Sequence, residues 1–125
     1  MKRFNGVCLV TNNLPRLRDF YCDLLQSGAE GDDTFVTILC DGAVFAIYTT
    51  TGMEGMAPGS TSNSDHGGLT LEFEVEDVDQ EYERLLERDI PIVKPPTTQP
   101  WGRRSVWFRD PDGNIINFFS AVLMQ

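Results

Sequence analysis

The sequence predicts an α+β fold built from two βαβββ modules, and two observations carry that prediction. The first is the stretch 101–119, WGRRSVWFRDPDGNIINFF, where two alternating segments flank Asp110-Pro111-Asp112-Gly113. Pro111 presets φ in the turn and Gly113 can take the positive φ that closes it, so the stretch is a β-hairpin. The second is an order of elements that occurs twice. Superposing Asn13 on Asp77, and Asp41-Gly42 on Asp112-Gly113, pairs helix with helix and hairpin with hairpin. Each half is too small to bury its own sheet well. From topology alone a generic α+β sandwich remains an equal alternative.

In the first half, residues 4–11 alternate, with Val7 and Leu9 on one face and Gly6, Cys8 and Val10 on the other, as in a strand packed under a helix. The period then changes. Asn13 is a suitable N-cap, Pro15 is tolerated in a first turn, and Leu14, Leu17, Phe20 or Tyr21, and Leu24 recur at helical spacing as far as Ser27-Gly28. Strands are expected over 34–40 and 43–49, joined at Asp41-Gly42, with a short one around 29–32. Residues 50–67, TTGMEGMAPGSTSNSDHG, show no period and read as a long linker. The organisation is thus a single domain over 1–125, with modules at 1–49 and 68–125.

In the second half, Leu71, Phe73 and Val75 alternate against Thr70, Glu72 and Glu74. Asp77, with Gln80 three residues on, opens a helix whose apolar stripe is Val78, Tyr82, Leu85 and Leu86. A short strand near 90–94 precedes the loop PPTTQP and the hairpin. Parity places Val106, Phe108, Ile116 and Phe118 in the core. Trp101, Arg103, Ser105, Trp107, Ile115, Asn117 and Phe119 point the other way, a mixture of aromatic and polar groups that suits the wall of a ligand groove.

Charge narrows the partners. Nineteen acidic against ten basic residues give −9, which repels phosphate backbones and anionic lipid surfaces and draws cationic small molecules. Neither nucleic acid nor a membrane is expected as partner, and no run approaches the roughly 20 apolar residues of a spanning helix. Cys8, Cys22 and Cys40 are odd in number and fall in expected strands and a helix, so reduced thiols in the cytoplasm fit better than a disulfide framework. The start, MKRFNGVCLVT, reads as a strand rather than a leader peptide.

Three groups of residues carry a family likeness: Asn13-Leu14 through Phe20-Tyr21; Phe73-Glu74-Val75-Glu76-Asp77-Val78-Asp79; and Pro100-Trp101-Gly102 followed by Asp110-Pro111-Asp112-Gly113-Asn114. In this order and spacing the chain resembles the vicinal oxygen chelate superfamily of glyoxalase I, bleomycin resistance proteins, fosfomycin resistance enzymes and extradiol dioxygenases. The resemblance implies two βαβββ modules curling into a cup-shaped groove, usually completed in a homodimer. It also implies metal ligands, His, Glu or Gln, on the first and last strand of each module. The matching positions here are Gly6, Ala46, Thr70 and Asn117. Glycine and alanine offer no donor, and a neutral hydroxyl or amide does little to offset a divalent charge. A chain with one histidine cannot supply a His₂-carboxylate set within a protomer.

The expectation is therefore a metal-independent binder of a small organic ligand, cationic or aromatic, similar to the resistance-type members, with no cofactor and no assigned catalytic residue. The expected ligand-contacting set is Cys8, Tyr48, Glu72, Trp101, Arg103, Trp107, Asn117 and Phe119. Aromatic faces and a carboxylate bind a cation together. Each has a plainer reading: Cys8 as a small buried hydrophobe rather than a nucleophile, Glu72 and Glu74 as solvated strand positions, and Trp101 and Trp107 as packing against a dimer partner. Arg103 and Arg104 lie on opposite faces, so only Arg103 reaches a ligand and Arg104 is solvated. His66, beside Asp65, reads as a solvated loop residue rather than a base. Two rivals stay open: a metal-dependent lyase, isomerase or thiol transferase using unrecognised ligands such as Glu72, Cys8 or a residue donated by a second subunit, and a protein-interaction module.

Overall fold

A computed structural model describes residues 1–62 and 68–122. The chain divides into two compact units, Met1–Ser64 and Asp65–Gln125. In the first unit, β1 (Gly6–Thr11), β2 (Ala29–Gly31), β3 (Phe35–Ile38) and β4 (Val44–Thr49) form one sheet in the order β1-β4-β3-β2. β1 runs parallel to β4, and the other pairs are antiparallel. Helix α1 (Leu14–Leu25) crosses between β1 and the hairpin. It starts where Asn13 Oδ1 accepts from the Arg16 amide at 3.2 Å, and ends as Gln26 turns into the left-handed region at φ 50°. Of the alternatives at the third apolar position the core takes Tyr21, whose ring meets Phe45 edge to face at 4.8 Å. Leu9, Leu14, Leu17, Val36, Ile38 and Ile47 fill the same core.

The second unit repeats this plan. β5 (Thr70–Glu74), β6 (Ile92–Gln99), β7 (Arg103–Arg109) and β8 (Ile115–Ala121) form a sheet in the order β5-β8-β7-β6, with α3 (Val78–Glu87) against it. Asp77 caps α3 by accepting from the Gln80 amide at 3.1 Å. The expected core is in place: Val106, Phe108, Ile116 and Phe118 are all buried, and each such side chain contributes about 1.5–3 kcal/mol by leaving water. Asp110 anchors the hairpin turn. Its Oδ1 accepts from the amides of Asp112 and Asn114, both at 2.9 Å, its Oδ2 accepts from Asn114 Nδ2 at 2.9 Å, and Gly113 takes φ 91°.

Several elements differ from what the sequence predicts. Residues 50–67 are not wholly irregular, because Thr50–Met56 forms a helix, α2, capped by Thr49 Oγ1 accepting from the Gly52 amide at 2.9 Å. PPTTQ belongs to β6 rather than to a loop. That strand is the sheet's edge, where Pro95 and Pro96 need no ladder donor, and its register shifts twice, between Ile92 and Lys94 and between Lys94 and Thr97. Leu86 is exposed, so the α3 stripe narrows to Val78 and Leu85, with Tyr82 at its margin. Cys40 lies beyond β3 and is exposed. No described helix is long and apolar enough to cross a membrane.

Candidate functional site

The non-core face of the second sheet gathers most of the expected ligand-contacting residues. Because Glu72 pairs with Asn117 and Asn117 with Trp107, these three form one row across β5, β8 and β7. The next row is Glu74, Phe119 and Ser105. Arg103, opposite Ala121 at the start of β7, reaches diagonally back across both rows. Its guanidinium lies 3.7 Å from the centre of the Phe119 ring, and its Nη1 donates to Glu72 Oε1 at 3.3 Å. The same carboxylate oxygen accepts from Asn117 Nδ2 at 3.5 Å. Strand pairing alone puts these groups within reach: β8 runs beside both β5 and β7, so same-parity residues on the three strands share a face.

Asn117 is 5% exposed, and its Oδ1 is buried with no hydrogen-bond partner among the described residues. The amide orientation follows from its neighbour, since exchanging N and O would aim an oxygen at the Glu72 carboxylate. Ser105 is buried as well and accepts from Trp107 Nε1 at 3.2 Å, which fixes the half-buried indole against the sheet. Parity had put Ser105 on this face; what it did not supply was this orienting role.

Trp101 is displaced from the expected set. It sits in the turn before β7, where Gly102 takes φ 86° and donates its amide to Gln99 O at 3.0 Å, and it is exposed. Parity counted along β7 does not extend to it. Arg104 does point to the other face but is not merely solvated: its Nη2 and Nε clamp Asp79 Oδ1 and Oδ2 at 2.7 and 3.0 Å. That clamp holds the Asp79 carboxyl below the usual carboxylate range.

On the first sheet, Cys8, Ala46 and Thr37 share a row, and Val10, Tyr48 and Phe35 form the next. Tyr48 meets Phe35 edge to face at 5.3 Å. Helix α2 presses on this end of the sheet so closely that a Cβ on Gly52 would lie 2.4 Å from Tyr48 Cε1. Cys8 is exposed, which removes its plainer reading as a small buried hydrophobe. Partial desolvation raises its thiol above the ordinary value, and burial does the same for Cys22 and Cys40, which is the opposite of what an activated nucleophile needs. His66 and Asp65 lie outside the described residues.

The four positions that would hold a divalent metal do not fit one. Beyond lacking a donor, Gly6 leaves no room for a side chain, since a Cβ there would stand 2.1 Å from Val44 O. Ala46 is buried without a donor, and Thr70 is exposed. Asn117 offers a single neutral oxygen. No group of three or more His, Cys, Asp or Glu side chains is arranged as a metal site among the described residues.

Comparisons with known proteins agree with this architecture. An uncharacterized protein of Bacillus subtilis (strain 168), YraH, is 42% identical over 53 residues, a match covering 42% of this chain and 41% of that protein. A glyoxalase/bleomycin resistance protein/dioxygenase family enzyme from Burkholderia phytofirmans PsJN superposes with a TM-score of 0.86 at 14% identity, over 97% of this chain and 100% of the other. Lactoylglutathione lyase from Agrobacterium tumefaciens gives 0.74 at 20% identity, over 96% and 94%. At such identities the two structures speak for the fold. The model of the Glyoxalase/Bleomycin resistance protein/Dioxygenase superfamily matches residues 3–118, nearly the whole of a chain whose βαβββ order occurs twice, and the protein belongs to that superfamily.

Proposed function

We propose that this protein binds a small organic cation with a flat aromatic portion on the non-core face of its second sheet, without a metal, and holds the compound rather than transforming it. The row Glu72, Asn117, Trp107 carries this reading: a carboxylate, a buried amide and a half-buried indole stand side by side on adjacent strands. A carboxylate and an aromatic face attract one cation by charge and ring quadrupole together. The net charge of −9 raises the local concentration of such cations.

The same inventory supports binding without covalent catalysis. Covalent catalysis needs a nucleophile with a base in hydrogen-bond reach, and metal-assisted catalysis needs a ligand set. The face supplies a carboxylate held by Arg103 and Asn117 and a serine hydroxyl held by an indole N–H, and the thiols are shifted away from thiolate. Gly6, Ala46, Thr70 and Asn117 replace the metal-binding set. The reading extends to a homodimer working in the cytoplasm.

Trp101 and Trp107 are the protein's two tryptophans, so a Trp101→Phe variant leaves Trp107 as the sole indole reporter. Titrating that variant with a panel of basic aromatic compounds should quench or shift Trp107 emission in a saturable way. Flat curves across the panel, or stoichiometric Zn, Ni, Mn or Fe in protein purified without chelator, would overturn the proposal.

A further inference from the structure

A cation already sits in this site: the protein's own Arg103. Its planar guanidinium lies over the Phe119 ring at 3.7 Å and donates one hydrogen bond to Glu72, an aromatic face and a carboxylate being the two kinds of group the proposed ligand needs. The fit is good in shape and poor in strength. The single N–H···O contact is 3.3 Å long, the side chains of Arg103 and Glu72 are 40% and 50% exposed, and the fork geometry that makes guanidinium–carboxylate pairs strong is not used. Arg104, one residue on, shows the contrast, because it engages both oxygens of Asp79 at 2.7 and 3.0 Å.

We propose that Arg103 is a displaceable stand-in, occupying the cradle formed by Phe119 and Glu72 until a ligand's own planar cation replaces it. It follows that the preferred ligand head is a guanidinium or amidinium rather than an ammonium, and that Arg103 sets how tightly the site binds. The cradle accommodates a flat delocalised cation stacked on a ring, and an ammonium ion is a compact, strongly hydrated charge that does not stack. Displacement costs little because Arg103 stands at the first residue of β7 and its freed head can return to water. Asn117, 5% exposed, donates to the same Glu72 oxygen and so keeps that carboxylate in place beside Phe119 when Arg103 leaves.

This inference rests on the proposed function, and the experiment separates the two. Binding of benzamidine, benzylamine and benzamide is measured by calorimetry on the wild type, Arg103→Ala, Arg103→Gln and Arg103→Ala/Glu72→Gln, each first shown to melt cooperatively. Vacating the cradle should tighten benzamidine binding by about twofold to fivefold in both single variants, the scale of losing one weak competing surface pair. Benzylamine should gain less, benzamide should not bind, and Glu72→Gln should abolish the gain. Wild-type binding that weakens or stays constant on removing Arg103, or an equal gain for benzylamine, overturns the stand-in while leaving the proposed function intact. If no variant binds either basic compound, both fail.

Discussion

Asn117 gives its amide N–H to Glu72 across β8 and β5 but receives nothing at Oδ1 among the described residues, although it is almost completely buried. A long hydrogen bond to a half-exposed carboxylate returns little, and a buried acceptor without a donor costs about 1–3 kcal/mol. Asn117 is therefore a residue the fold carries at a loss. Asn117→Leu should raise the stability of the free protein by about 1 kcal/mol and weaken capture of basic aromatic compounds severalfold. Denaturant melts and ligand titration on the same preparation check both halves. A variant that is less stable yet binds unchanged would show that Asn117 serves the fold and not the site.

The bidentate contact of Arg104 with Asp79 ties β7 to the first turn of α3, on the face opposite the site. It lowers the Asp79 carboxyl in the folded state, chiefly through the hydrogen bond to Arg104. The sign follows: a carboxyl depressed by folding adds stability above its unfolded value of about 3.9, and that stability is lost as pH falls through the folded value. Both groups are largely at the surface, so screening keeps the contribution under about 1 kcal/mol. Asp79→Asn should melt slightly below wild type at pH 7, and the gap should narrow as pH falls below about 3.9 and shrink in 1 M salt. A gap unchanged from pH 7 into the acid range would assign it to a charge-independent change in the first turn of α3 instead.

Much of this site is legible in the sequence because period-2 alternation is a strict rule. Once Asp110 to Gly113 defines the turn, parity alone sends Val106, Phe108, Ile116 and Phe118 inward and Arg103, Ser105, Trp107, Asn117 and Phe119 outward, as the structure has them. The caps at Asn13 and Asp77 were equally readable, since each is a local bond between a side chain and an amide three residues on. What escapes is set by contacts distant in sequence. Nothing local pairs Arg103 with Glu72, 31 residues away, or Arg104 with Asp79. Helix α2 was hidden because TTGMEGM has two glycines and no apolar period. Its location depends on the Thr49 cap and on how closely Gly52 can approach Tyr48. β6 was hidden by its prolines, which only an edge strand tolerates. Trp101 shows where parity stops: a rule counted along β7 says nothing about the turn before it.

The absence of a donor at Gly6 is a property of the backbone as well as of the sequence. A Cβ at this position would lie 2.1 Å from Val44 O and 2.8 Å from Val44 C and N. Val44 cannot yield freely, because its amide is bonded to Asn5 O at 2.9 Å and its neighbours hold the parallel register of β1 with β4. Adding a side chain therefore means prising two strands apart, at a cost of about 1–3 kcal/mol or more. Gly6→Ala, the smallest probe, should already destabilise by that amount. Gly6→His should lose at least as much without gaining affinity for zinc, because Ala46 remains donor-free and the imidazole would be bought at the expense of the strand pairing. Thermal melts of both variants, with a zinc titration of whichever folds, decide the matter. A Gly6→His protein that melts with wild type and takes up one zinc per chain would mean that β1 can move away from β4, and that the metal position is closed only by the choice of residue.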